Sequence, residues 1–181
     1  MKINILALLF VLFVNIAFTQ TYKTLHDFKS TTLDGQPFDF STLKGKKVII
    51  VNTASKCRYT PQYAELEKLY KEYGGDKFTI IGFPANNFMK QEPGTNGEIN
   101  DFCQKNYGVS FQMMSKISVK GKDIDPIYKW LTSKSENGVS DYKIKWNFQK
   151  FMIDENGKIV DVLDPSESPL SEKVINWINS K

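Results

Sequence analysis

Lys47-Val48-Ile49-Ile50-Val51-Asn52-Thr53-Ala54-Ser55-Lys56-Cys57-Arg58-Tyr59-Thr60-Pro61 decides how the rest of the chain is read. Its first six residues are β-branched and apolar on both faces, the pattern of a central strand covered by layers on both sides. The next seven form a loop. Thr60-Pro61 then reads as the N-cap and first position of a helix, in which Tyr63, Leu66, Leu69 and Tyr70 recur at helical spacing up to Tyr73, with Gly74-Gly75 as the stop. Cys57 therefore lies between a buried strand and a helix N-terminus, where reactive groups collect in open α/β sheets. The helix end and the flanking Lys56 and Arg58 supply positive potential that favours the ionised, nucleophilic sulfur.

Downstream, Phe78–Phe83 reads as a second strand ended by Pro84. Gln91-Glu92-Pro93-Gly94 leads into Thr95-Asn96-Gly97-Glu98, a capping box for a second helix. On that helix Ile99, Phe102, Cys103 and Asn106 share one face. The last third changes pattern. Phe148–Ile153 and Lys158–Val162 are short apolar runs joined by Asp154-Glu155-Asn156-Gly157, whose Asn-Gly is a hairpin signal. Ser168-Pro169 reads as the cap of a C-terminal helix with Leu170, Val174, Trp177 and Ile178 on one side. A βαβα unit followed by a hairpin and a helix predicts an α/β, thioredoxin-like fold with a central mixed β-sheet flanked by helices. No repeat, linker or composition break divides residues 21–181, so one domain is expected.

Composition sets bounds. The 181 residues are 41% hydrophobic and 24% charged, as in soluble globular domains. The net charge of +4 is carried by scattered lysines, with Arg58 the single arginine. Without a basic cluster beside aromatics, no nucleic-acid partner is expected. Residues 1–20 predict a secretory signal: Lys2, an apolar run from Ile3 to Phe18, and a cut site near Ala17-Phe18-Thr19. The chain is expected to be exported, to a periplasm or to the exterior, with an uncleaved membrane anchor as the alternative. An exported chain with two cysteines fits either a structural disulfide or a reactive pair, and residue type alone leaves both open. Two Cys and one His are too few for a structural zinc site, so neither metal nor cofactor is expected. The lone His26 lies away from the motifs and is given no role.

Three separated motifs carry a resemblance. Val51-Asn-Thr-Ala-Ser-Lys-Cys57-Arg-Tyr-Thr-Pro-Gln-Tyr63 resembles the signature around the active cysteine or selenocysteine of the glutathione peroxidase family. Gly82-Phe-Pro-Ala-Asn-Asn-Phe88 with Gln91-Glu-Pro-Gly94 is similar to its second motif, and Lys145-Trp146-Asn147-Phe148 with Lys150-Phe151 to its third. The resemblance runs in register from about Tyr22 to the C-terminal helix. It implies a thiol peroxidase with a catalytic tetrad of Cys57, Gln91, Trp146 and Asn147. Amide and indole N–H groups suit that role, because they donate hydrogen bonds without becoming nucleophiles. One well-aimed donor to a developing oxyanion contributes roughly 3 kcal/mol.

Phe102-Cys103-Gln104-Lys105-Asn106-Tyr107 is similar to the resolving segment of the family's thioredoxin-dependent members. The resemblance implies that Cys57 is oxidised to a sulfenic acid by hydrogen peroxide or an organic or lipid hydroperoxide. Cys103 then forms a disulfide with it, after local unwinding of its helix, and a thioredoxin-like dithiol protein reduces that disulfide. Glutathione is the less favoured reductant, since the family binds it chiefly through arginine. The stretch between Trp130 and Trp146 is short, and the resemblance implies that it lacks the insertion tetrameric members use for assembly, so a monomer is expected. A peroxide-sensing relay that hands its disulfide to a partner protein is the alternative function. Four residues depart from the family pattern: Arg58 replaces the usual Gly after the active cysteine, Ala85 a frequent Cys, Asn87 a Gln, and Gln112 a common Pro after Phe111.

Overall fold

The computed structural model describes residues 21–180. The predicted signal over residues 1–20 lies outside the described residues. The elements are β1 (Lys29–Thr31), β2 (Pro37–Asp39), β3 (Lys47–Thr53), α1 (Gln62–Tyr73), β4 (Phe78–Pro84), α2 (Asn96–Tyr107), β5 (Gln112–Met113), α3 (Pro126–Thr132), α4 (Lys134–Asn137), β6 (Lys150–Ile153), β7 (Ile159–Leu163) and α5 (Glu172–Asn179). β1 and β2 form a separate hairpin, while the central sheet has the order β5-β4-β3-β6-β7. β3, β4 and β5 run parallel, and β6 and β7 are antiparallel to their neighbours. This is the mixed, thioredoxin-like sheet that the strand pattern predicts.

All seven residues of β3 are buried, because both faces of the sheet are covered. Alternation then sorts its side chains. Val48 and Ile50 face a layer built with Phe83, Phe151 and the α3 residues Ile127, Tyr128 and Leu131. Ile49 and Val51 face the opposite layer, with Tyr63, Leu66 and Leu69 of α1, Ile99 and Cys103 of α2, and Val174 of α5. Each fully buried aliphatic side chain contributes about 2 kcal/mol. Lys47, at the strand's start, turns its ammonium onto the carbonyls of Trp177 and Ser180 and so caps the C-terminal end of α5.

Three local expectations need correction, and a fourth, the hairpin, is met. α1 begins at Gln62, and Thr60 is not its cap; its hydroxyl is used by the loop before the helix. Asn106 is exposed, and the apolar face of α2 continues past Cys103 through Tyr107 instead. β6 and β7 form the expected hairpin, with Asp154 organising its turn. The Asp154 carboxylate accepts from the backbone N–H groups of Asn156 and Lys158, and only Gly157, at φ 77°, enters the left-handed region. α5 starts after Ser171, three residues beyond the predicted cap, because Ser168 and Pro169 stay in a preceding turn. Conversely, Asp125-Pro126 is a cap-and-first-position pair for α3, with the Asp125 carboxylate accepting from the Ile127 N–H at 2.9 Å.

Candidate active site

The loop that carries Cys57 is closed on itself by Thr60. The Thr60 hydroxyl donates to the Ala54 carbonyl (2.9 Å) and accepts from the Cys57 N–H (3.0 Å), and the Thr60 N–H donates to the Cys57 carbonyl (3.0 Å). Successive backbone bonds Tyr59–Gln62, Thr60–Tyr63 and Pro61–Ala64 then wind the chain into α1. The free N–H groups of the helix start are consumed in these turns. What reaches the Cys57 sulfur is the backbone N–H of Tyr59, at 3.4 Å, a donor suited to negative charge there. Cys57 is buried, whereas Lys56 and Arg58 point to solvent. The Arg58 guanidinium lies 4.6 Å from the centre of the Tyr59 ring and donates to the Tyr59 hydroxyl.

Gln91 and Asn147, 56 positions apart, meet beside this loop. The Lys56 N–H donates to the Gln91 carbonyl at 3.0 Å, and the Asn147 side-chain N–H donates to the Gln91 side-chain oxygen at 2.9 Å. With its oxygen engaged, Gln91 has its NH2 group left for a ligand. Trp146 is half-buried, its ring centre 5.2 Å from that of Phe88. Asn52, the buried penultimate residue of β3, holds this segment from below. Its side chain donates to the Trp146 carbonyl (3.1 Å), and its own carbonyl accepts from the Phe148 N–H (2.6 Å). Among the described residues, the non-glycine positions with positive φ are Met89 (49°), Lys90 (52°) and Phe148 (66°), all adjoining Gln91 or Asn147. Backbone strain in this protein is thus concentrated where two amides are aimed.

Glu92 ties the two loops together. It is wholly buried, accepts from the Ser55 hydroxyl at 2.7 Å, and its N–H donates to the Asn86 side chain at 2.9 Å. Burial pushes its carboxyl above the ordinary carboxylate value, against the opposing hydrogen bonds from Ser55 and the charges of Lys116 and Lys56. Asn52, Ser55 and Glu92 have no role in the reading of the sequence, although each lies within one of the quoted motifs, and Thr60 is read there only as a helix cap. The signal for Asn52 is a polar residue inside an otherwise apolar strand.

Outside the loops is a cavity of about 510 Å³ lined by Arg58, Tyr59, Gln91, Trp146 and the 164–166 turn, with Lys145 at its edge. That turn is held from inside. The buried Lys150 ammonium donates to the carbonyls of Asp164, Pro165 and Glu167, and Gln62 donates to Pro165. Burial lowers the Lys150 pKa to about 8, against the nearby acids Glu167, Glu65 and Asp164.

Cys103 occupies the middle of α2 and is 1% exposed. The two thiols are unbonded. The Cys103 sulfur lies beside the hydroxyl of Tyr63, a fully buried side chain whose ring packs on Phe102, Tyr107 and Phe148. Burial pushes the Cys103 pKa up to about 11.

A thioredoxin-like sheet, a loop cysteine with a backbone donor at its sulfur, and paired amides beside it define a thiol-based oxidoreductase. The comparisons with known proteins narrow the class. A glutathione peroxidase profile matches residues 25–132. "Glutathione peroxidase-like peroxiredoxin HYR1" of Saccharomyces cerevisiae is 54% identical over 137 residues, covering 76% of this chain and 84% of that one. "Hydroperoxy fatty acid reductase gpx1" of Synechocystis sp. is 44% identical over 148 residues, 78% of this chain and 86% of that one. Among solved structures, Trgpx in its apo form superposes with a TM-score of 0.67 at 35% identity, covering 88% of this chain and 98% of the other. The chain belongs to the glutathione peroxidase family, and its activity is that of a peroxidase.

Proposed function

We propose that Cys57 is the peroxidatic thiol, and that Gln91, Trp146 and Asn147 stabilise the leaving oxygen. The Cys57 thiolate attacks the nearer oxygen of a hydroperoxide and the O–O bond breaks. The sulfur becomes a sulfenic acid, and the departing alkoxide or hydroxide takes up a proton and leaves as alcohol or water. Cys103 is the resolving thiol: its sulfur displaces hydroxide from the sulfenic acid, water leaves, and a Cys57–Cys103 disulfide forms. Because Cys103 is sealed within α2, that step requires the helix to open locally. A thioredoxin-like dithiol protein returns both thiols, with glutathione the lesser alternative. The observation that carries this reading is the Asn147–Gln91 amide pair fastened to the Cys57 loop through Lys56. Hydrogen peroxide and organic hydroperoxides are the substrates, in keeping with the name of the Synechocystis relative. We further propose a monomer, without resident metal, exported by the segment over residues 1–20.

Replacement of each cysteine by serine tests the scheme. Cys57→Ser abolishes peroxide consumption with every reductant, whereas Cys103→Ser permits one round of Cys57 oxidation and loses turnover with a dithiol protein. Unchanged peroxide consumption in Cys57→Ser sinks the assignment. A wild-type protein oxidised stoichiometrically, without turnover, is a relay and not an enzyme of this cycle.

A further inference from the structure

We infer that Arg58 is a specificity residue that binds the carboxylate of an organic hydroperoxide lying in the 510 Å³ cavity. The inference rests on Cys57 being the peroxidatic thiol. Three observations support it. Arg58 follows Cys57 directly and lines the cavity together with Gln91 and Trp146, two of the residues proposed to stabilise the leaving oxygen. Next, among the described residues no carboxylate lies within ion-pair distance of Arg58. The other cation on this cavity, Lys145, is paired with Asp164. Among the described residues that leaves Arg58 as the lining cation without a carboxylate partner. Finally, that guanidinium is pre-oriented: stacked on the Tyr59 ring at 4.6 Å and bonded to the Tyr59 hydroxyl, it loses little side-chain freedom when a ligand arrives.

The ring faces of Tyr59 and Trp146 supply apolar walls for the carbon chain, and the guanidinium fork matches a carboxylate geometrically. Its positive potential favours the Cys57 thiolate toward every peroxide alike, so a preference among peroxides needs a direct contact with the substrate. A substrate with an acidic group at one end and an O–O bond further along makes that contact. The ligand class is a hydroperoxy carboxylic acid with an apolar chain.

The test is selectivity between an acid and its own ester. Rates are measured with a C18 hydroperoxy fatty acid and its methyl ester, below their micellar concentrations and at fixed ionic strength. Dithiothreitol is the reductant, so no second carboxylate is present. The wild type favours the acid, and Arg58→Gln lowers the acid-to-ester ratio of kcat/KM roughly tenfold, mainly through KM, the size expected of one charge-assisted contact. Arg58→Lys restores part of the ratio. An acid-to-ester ratio unchanged in Arg58→Gln, in an enzyme that still consumes hydrogen peroxide, overturns the assignment of Arg58 alone. A wild type inert toward hydrogen peroxide overturns the Cys57 reading along with it. A defect of Arg58→Gln seen only when glutathione replaces dithiothreitol assigns the guanidinium to the reductant's carboxylate and likewise overturns the inference.

Discussion

Cys57 and Cys103 belong to the same layer of the core, packed with α1 against one face of the sheet, yet their surroundings differ in kind. Cys57 lies in a loop whose polar groups are turned inward and tied to each other. Thr60 closes the loop, Glu92 and Gln91 bind it, and a backbone N–H faces its sulfur. Cys103 lies in a regular helix with a complete capping box at its start, and burial is the main influence on its thiol. The first region spends backbone strain at Met89, Lys90 and Phe148 to hold donors in place. The second has no positive-φ residue between Asn96 and Tyr107, and its thiol is shielded by burial. On the proposed reading, one cysteine reacts from the folded state and the other only after a change of structure.

The strongest way to break that contrast is to remove an aimed donor. Asn147→Ala leaves Gln91 without its partner and should slow oxidation of Cys57 by about 10²-fold, read as the rate of sulfenic acid formation under single-turnover conditions. A rate within twofold of wild type would mean that the amide pair is only structural.

The second test concerns pH. The Cys103 thiol ionises near 9 in the unfolded chain and at about 11 in the folded one. Between those values the unfolded chain has released a proton that the native state retains. Its contribution to stability is therefore intact below pH 9 and is lost as pH rises toward 11. In urea unfolding under reducing conditions, Cys103→Ala should lose up to about 2–3 kcal/mol less than wild type across that window. Lys150 acts with the opposite sign between about 8 and 10.5, where the native state binds fewer protons, so each variant is compared with wild type at the same pH.

Smaller effects sharpen the comparison further. Thr95→Ala removes the hydroxyl that accepts from the Glu98 N–H and should weaken α2 by about 1 kcal/mol. If α2 must open for Cys103 to react, disulfide formation after one equivalent of peroxide should accelerate about fivefold. An unaltered rate would indicate resolution from the intact helix. Finally, a glycine should act with opposite signs in the two regions, measured by thermal unfolding. Lys90→Gly relieves a left-handed residue and should add up to about 1 kcal/mol, whereas Lys105→Gly, in the exposed part of α2, should cost about 1 kcal/mol.

What could be read in advance follows the range of each signal. The capping box of α2 is exact to the residue because Thr95 and Glu98 answer each other within one turn. β3 and β4 were legible from unbroken apolar runs. The start of α1 was misjudged at Thr60 because that hydroxyl is claimed by Ala54, six residues back, in a loop geometry no local pattern announces. Ser168 does accept the Leu170 N–H on its hydroxyl, as a cap would, but the chain there makes only a turn before α5 begins after Ser171.

The sequence by itself determined which side chains are present for the chemistry: a thiol between a buried strand and a helix, amides and an indole in the motifs, and a second cysteine on a helix face. Only the tertiary structure decided that Gln91 and Asn147 touch, that Tyr59 and not the end of α1 supplies the donor to Cys57, and that Arg58 overlooks a cavity. The reason is physical. Helix and strand patterns are set by neighbours a few residues apart, whereas the meeting of Gln91 with Asn147 depends on the placement of β4 and β6 on either side of β3.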